Sequence, residues 1–138
     1  MITTKDIVAA VNRKIKEAVP GAVIKSTDFR KNVVPGAFYQ EYPKPTFDGT
    51  EYFRHESGTI RVYYFPTDEH NCRYELADMQ EKLSMSFFGI LAVNETFAIP
   101  LNEVNFDVID NVLAMSFDYD TWQEIAETGE DMLNLEVR

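Results

Sequence analysis

Paired carboxylates are the first group in this sequence whose types and spacing could do chemistry. Asp118 and Asp120 alternate along one predicted strand, beside Glu103 on the strand before it. Two carboxyl groups so placed perform acid–base catalysis in glycosidases. The hairpin that carries them is strongly charged and implies no apolar pocket that would raise the pKa of one of them. We therefore predict no catalytic residue and no enzymatic activity, and a small hydrolase ranks last among the functions considered.

Metal-ligating residue types cluster at positions 68–72, which read Asp68, Glu69, His70, Asn71 and Cys72. A metal site needs three or four ligands that converge, and no second ligand pair stands out elsewhere. We expect Asp68 or Asn71 to cap a helix that begins here, and Cys72 to lie in the core. GxxxxGK[ST], GxGxxG and GxSxG motifs are absent from the sequence. No metal and no cofactor is predicted.

Aromatic runs, FYQEY at 38–42 and YYF at 63–65, could stack nucleobases as single-strand binders do. Such binding also needs a basic groove, and the formal net charge here is −10. The acidity is concentrated at one end, because residues 101–138 hold ten acidic residues and one basic residue. We interpret the aromatic runs as packing residues, and we expect nucleic acid not to be gripped through its phosphates.

Length and composition indicate one globular domain. The 138 residues are 45% hydrophobic, which is enough for a core. The sequence contains no run of 18 apolar residues, so no membrane span is predicted, and the first residues do not resemble a signal peptide. The single cysteine, Cys72, excludes an internal disulfide and fits a reducing compartment. We expect the protein to be made in a cytoplasm.

The pattern of apolar residues predicts an α+β fold. Helical spacing marks residues 3–18 and 69–88, and strands are predicted at 22–27, 37–42, 52–65, 90–93 and 96–101, with a loop at 43–51. The helices do not alternate with every strand, which favours a single mostly antiparallel sheet of five to six strands with two helices packed on one face. We predict a domain over 1–121 and an acidic C-terminal tail or arm over 122–138.

A hairpin with one sign of charge closes the predicted domain. The stretch NEVNFDVIDNVLAMSFDYD, residues 102–120, holds five carboxylates and no Lys or Arg. A turn at Asp110-Asn111 would pair Val108 with Leu113. The pairs that follow at every second residue away from the turn lie on the same face, which puts the apolar side chains together there. The predicted acidic face holds Glu103, Asp107, Asp118 and Asp120. It is interpreted either as an ordinary solvated face or as a surface kept acidic for a purpose.

Three segments resemble a known family. They are ITTKDIVAAVNRKI near the start, RVYYFPTDEHNCRYELADMQEKL in the middle, and LNEVNFDVIDNVLAMSFDYD in the last hairpin. In type and order they are similar to tail terminator (tail completion) proteins of siphophages and myophages and of related prophages of Gram-positive bacteria. The resemblance covers roughly residues 1–121.

The resemblance implies a structural protein of the virion tail and neck. Members of the family form a ring, typically of six copies, on the finished tail tube, stop further addition of tube protein and join the head–tail connector protein. DNA passes through the ring without specific binding. The acidic face would then repel DNA in the lumen, or dock on a basic patch of a neighbour. Contacts between subunits are expected at the aromatic residues Tyr39, Tyr52 and Phe53 and at the loop 43–51.

A second function class stays open from the sequence. A cytoplasmic module without enzymatic activity could bind a protein or peptide by adding a strand to the edge of its sheet. Formation of a ring would distinguish the two classes.

Overall fold

Helices and strands of the protein are defined in a computed structural model that describes residues 2–25, 34–68 and 70–125. The helices are α1 (Thr4–Ala18) and α2 (Arg73–Ser86). The strands are β1 (Val23–Lys25), β2 (Ala37–Glu41), β3 (Thr46–Gly49), β4 (Phe53–Tyr64), β5 (Gly89–Ala92), β6 (Ala98–Leu101), β7 (Val104–Ile109) and β8 (Val112–Glu124).

Six of these strands form the main sheet, in the order β1-β2-β4-β8-β7, with β3 paired to another part of β4. Only β1 and β2 run parallel, and the other pairs in the sheet are antiparallel. Strands β5 and β6 form a separate two-stranded ribbon. The predicted α+β fold with one mostly antiparallel sheet and two helices is confirmed.

The core lies between the helices and one face of the sheet. All 12 residues of β4 pair with β8, so these two long strands hold the centre of the sheet. Ile60 and Val62 of β4 and Met115 of β8 point to the same side, where they pack against Ile7 and other residues of the helices. Because side chains alternate along a strand, the residues between them point to the opposite side, which we call the outer face.

The β7–β8 hairpin has the register that the sequence predicts. Val108 pairs with Leu113 and Phe106 with Met115, and the turn residues have the positive φ angles that a two-residue hairpin requires, 52° at Asp110 and 62° at Asn111. The ladder starts at Val104, so Glu103, which the same register would put opposite Asp118, lies outside it.

Helix α1 begins at a capping box formed by Thr3 and Asp6. The Asp6 carboxylate accepts a bond of 2.9 Å from the Thr3 backbone N–H, and the Thr3 hydroxyl accepts one of 3.3 Å from the Asp6 N–H. The start of α2 was predicted four residues too early, and neither Asp68 nor Asn71 caps it. Its N-cap is Cys72, which makes no side-chain cap bond and is buried as predicted.

Two boundaries differ from the sequence prediction. Residues 43–51, predicted as a loop, contain β3. This strand is fully exposed, and the two prolines that precede it are typical of a loop. Strand β8 continues to Glu124, past the predicted domain end at 121. The rest of the predicted tail, 126–138, lies outside the described residues. Among the described helices, none is long and apolar enough to cross a membrane.

Candidate functional site: the outer face of the sheet

The outer face is polar because its strands expose their non-core side chains. On β4 these include His55, Thr59 and Arg61, and on β8 they include Asp118 and Asp120. The register places Thr59 directly opposite Asp118, whose carboxylate accepts a bond of 2.7 Å from the Thr59 hydroxyl. Local pairing therefore holds at least part of this charged surface in a fixed arrangement.

His55 connects three strands across this face. Its Nδ1 lies 2.6 Å from Oδ1 of Asp48 on β3, and its Nε2 contacts Oδ1 of Asp120 on β8. The ring stacks on the indole of Trp122, with 4.1 Å between centroids and 13° between planes. The hydrogen bonds to Asp48 and then Asp120 raise the pKa of His55 above its ordinary value of 6.5. A protonated ring can donate to both carboxylates, so this cluster favours the imidazolium.

A buried carboxylate lies under the same end of the sheet. Glu56 is fully buried, and its Oε2 accepts bonds from the Thr4 hydroxyl (2.6 Å) and the Tyr119 hydroxyl (2.7 Å). The Arg54 guanidinium lies 3.5 Å from Oε1. Gly58 leaves room for the Tyr119 ring, since a Cβ there would lie 3.0 Å from it. This network fixes α1 to the sheet, and burial raises the pKa of Tyr119.

A groove of about 500 Å³ crosses the outer face between β2, β3, β4 and β8. Its charged lining residues are Glu41, Lys44, Arg61, Asp118 and Asp120. The two basic residues lie on the β2 side, so the face is acidic mainly toward β8 and β7. Its polar lining and open shape suit contact with a macromolecule better than enclosure of a small substrate.

Three of the four predicted acidic residues come together. Glu103, Asp118 and Asp120 line one shallow depression beside β7, although Glu103 lies before the start of that strand. Asp107 lies farther along β7, opposite Ala114, and its carboxylate accepts a bond of 2.9 Å from the Val108 N–H. All four side chains are exposed. Their role as a lumen or docking surface stays a prediction.

The predicted aromatic contacts separate into two kinds. Tyr39 is only 2% exposed, so the expectation that it is an exposed contact residue is wrong. Its ring packs edge-on against Phe65, and its hydroxyl accepts a bond of 2.8 Å from the Val34 N–H. Tyr52 and Phe53 are 58% and 45% exposed and remain available for contact with another molecule.

Sequence reasoning missed His55, Asp48 and Glu56. His55 is 65 residues from Asp120 in the chain, and its other partner lies on the strand that was predicted as a loop. The available signal was the Asp-Gly pair at 48–49, which is typical of a hairpin turn and would have placed β3 against β4. Glu56 could not be identified, because nothing in the alternation shows that a carboxylate occupies a core position.

The outer face is a broad polar surface on the main sheet of an α+β fold. Among the residues described, no group of three or more His, Cys, Asp or Glu side chains could hold a metal ion. The chain belongs to the phage tail terminator family: the sequence model described as "Phage tail terminator protein" matches residues 6–131. No curated protein matches the chain.

Family membership confirms the resemblance seen in the sequence. It gives the protein a structural role in the phage tail and a place in the tail of the virion, where it contacts other tail and head components. The family is one of structural proteins and is not known for enzymatic activity.

Proposed function

We propose that this protein forms a ring, of six copies, on the end of the finished tail tube. The ring stops addition of the tail tube protein and presents the surface that joins the head–tail connector protein. Assembly takes place in the host cytoplasm, and the ring stays in the neck region of the virion. The family match over residues 6–131 is the observation that carries this proposal.

The acidic part of the outer face gives the ring a conduit for DNA. Glu103, Asp107, Asp118 and Asp120 are exposed, and no Lys or Arg occurs in the hairpin that carries them. Several copies of such a surface around a lumen would repel phosphate groups and keep the moving DNA from adhering. Docking on a basic patch of a partner is the other use of the same charges.

Tail length tests the termination function directly. We expect a phage or prophage that lacks this gene to make headless tails of variable and excessive length, measured by negative-stain electron microscopy. A plasmid copy of the gene should restore uniform tails joined to heads. Uniform tails in the deletion strain would contradict the proposal.

Asp118 is the best position to test the conduit, because it lies on the central strand β8 and not at the sheet edge. Asp118→Lys reverses the charge, and Asp118→Asn is the matched control that keeps an acceptor for the Thr59 hydroxyl. We expect Asp118→Lys rings to assemble but to retain DNA, which would slow ejection in a fluorescence assay. If assembly and ejection of Asp118→Lys match those of Asp118→Asn, the conduit proposal fails and the interpretation as an ordinary solvated face stands.

A peptide-binding module is the second candidate function. The observation in its favour is that, among the described strands, β7 pairs with β8 alone, so its other edge faces away from the sheet. Normal tails in the deletion strain would bring this candidate forward.

A further inference from the structure

We propose that neighbouring copies in the ring meet edge to edge, with an acidic edge of one copy against a basic edge of the next. This inference rests on the ring proposed above and specifies which surfaces close it. It assigns Glu103 and Asp107 to the contact between copies, and it leaves Asp118 and Asp120 for the DNA conduit. The acidic β7 edge comprises residues 102–111, and the basic α1–β1 edge comprises residues 13–25, the last turns of α1 and β1.

The two edges lie at opposite ends of one sheet. Strands β1 and β7 are the terminal strands in the order β1-β2-β4-β8-β7. Helix α1 packs over β2 and β4, since the Gln40 amide of β2 donates to the Val8 carbonyl and the Thr4 hydroxyl donates to a carboxylate of β4. The end of α1 leads into β1. Helix α2 lies over the other end, where a cleft separates Leu76 from Val108 of β7. A contact between these edges therefore joins different surfaces of successive copies.

Charges at the two edges are opposite. The α1–β1 edge holds four Lys or Arg and one acidic residue, and Lys16 and Lys25 are exposed. The β7 edge holds Glu103, Asp107 and Asp110, all exposed, with no basic residue. Like edges repel and unlike edges attract, so this distribution disfavours a symmetric pair and favours head-to-tail addition. Head-to-tail contacts close into a ring when the rotation between copies permits it.

Side chains, and not strand pairing, are expected to make most of this contact. In a two-residue hairpin the N–H of Val108 points away from β8, which would make it a donor for an added strand. The Asp107 carboxylate already accepts from that N–H at 2.9 Å. Strand β1 has only three residues, so it offers a short edge for backbone pairing. A charged, capped edge strand resists indiscriminate pairing while it keeps its charge available.

Charge reversal on both edges tests the inference. The β7-edge variant is Glu103→Lys/Asp107→Lys, and the basic-edge variant is Lys16→Glu/Lys25→Glu. Each variant would be expressed in the deletion strain, and particles with uniform tails joined to heads would be counted by electron microscopy. We expect each to reduce that count roughly tenfold or more, because like charges would face each other. One chain that carries all four substitutions should restore it, since opposite charges then meet again.

Matched controls separate charge position from net charge. Glu51→Lys/Glu95→Lys changes the net charge by the same amount as the β7-edge variant, at two exposed residues outside both edges. Glu103→Gln/Asp107→Asn removes charge without reversing it and keeps an acceptor for Val108. We expect the first control to behave as wild type and the second to lie between wild type and the β7-edge variant.

Outcomes for the edge contact and for the function are distinguishable. Uniform tails from both single-edge variants, or no restoration by the four-substitution chain, would overturn the edge contact, while long tails in the deletion strain would still support termination. Normal tails in the deletion strain would overturn termination itself. Zero-length carbodiimide cross-linking of isotope-mixed rings provides a second measurement, in which we expect Lys16 or Lys25 of one copy to be joined to Glu103 or Asp107 of another.

Discussion

His55 lies where three strands meet, and its surroundings favour one protonation state. Asp48 and Asp120 face its two nitrogens, and Trp122 covers the ring. A neutral imidazole has one N–H and can donate to only one of the carboxylates, so deprotonation breaks one of the two contacts. This link adds a side-chain connection from β3 to β8 to the backbone pairing of β3 with β4.

The first prediction concerns the pKa of His55, which should exceed 6.5 in the folded protein. A folded pKa above the unfolded value adds stability below the unfolded pKa, and that stability is lost as pH rises through the folded pKa. The Tm of wild type should therefore exceed that of His55→Gln by more at about pH 6 than at about pH 9. The imidazole can be titrated by NMR, or through Trp122, the only tryptophan.

Two observations would contradict this prediction. One is a Tm difference that does not depend on pH, and the other is a measured pKa at or below the ordinary value. Asp48→Asn is the control, since it removes one carboxylate charge and should lower the pKa of His55.

The second prediction concerns the hydroxyl of Tyr119, which donates to the fully buried Glu56. Tyr119→Phe leaves the ring in place but removes one donor from a buried carboxylate, which should lower the free energy of unfolding by about 1–3 kcal/mol. Urea denaturation measures the change. Tyr63→Phe is the matched control, because the Tyr63 hydroxyl bonds an exposed Glu41 at 3.2 Å and its loss should cost less. Equal losses would refute the role given to the Glu56 network.

At the scale of elements, the sequence predicts some strands well and others not at all. The β7–β8 hairpin could be predicted to the residue, because period-two alternation and the Asp110-Asn111 turn agree on one register. Strand β3 was missed, since all four of its residues are exposed and show no alternation, and the sequence prediction assigns the Asp-Gly pair at its end to a loop. The outer-face cluster was missed for the same reason: its Asp48 lies on β3, and its other contacts require the β4–β8 register.

The third prediction concerns Gly49, at the turn between β3 and β4. Its φ is +134°, and a Cβ there would lie 2.3 Å from the Phe53 carbonyl oxygen. Gly49→Ala should therefore distort the turn and lower the free energy of unfolding by about 1–3 kcal/mol. Gly21→Ala is the control, because Gly21 also has a positive φ (+83°) but has open space around it. If the two substitutions cost the same when measured by urea denaturation, the steric argument fails.

At the scale of the whole molecule, hydrogen bonds join two residues that are 121 positions apart in the chain. The Gln123 side chain accepts from the Ile2 N–H at 2.6 Å and donates to the Ile2 carbonyl at 2.9 Å, as a neighbouring strand would. The segment before α1 is thereby fixed to the end of β8. Sequence analysis placed residue 123 in a tail, because a single glutamine gives no sign of a partner so distant in the chain.

The fourth prediction concerns these two hydrogen bonds between Gln123 and Ile2. Gln123→Ala removes both bonds to Ile2, which is buried, and should lower the free energy of unfolding by about 1–3 kcal/mol. Glu124→Ala, at the exposed neighbour, should change it by less than about 0.5 kcal/mol. Thermal or urea denaturation of the two variants measures both effects. If Glu124→Ala lowered the free energy of unfolding more than Gln123→Ala, the stabilising role of the bonds to Ile2 would be refuted.

The position of β8 has a consequence for synthesis. It lies between β4 and β7 in the sheet, yet every other described element precedes it in the chain. While residues 112–124 are still inside the ribosome, β4 lacks its longest partner, and β7 lacks the one strand that it pairs with among the described residues. The β4–β8 pairing joins residues distant in sequence and forms slowly, whereas β7 and β8 pair as a local hairpin. Until β8 emerges, β4 and β7 therefore expose unpaired backbone groups, and the surfaces of the finished sheet exist only once residues 112–124 have left the ribosome.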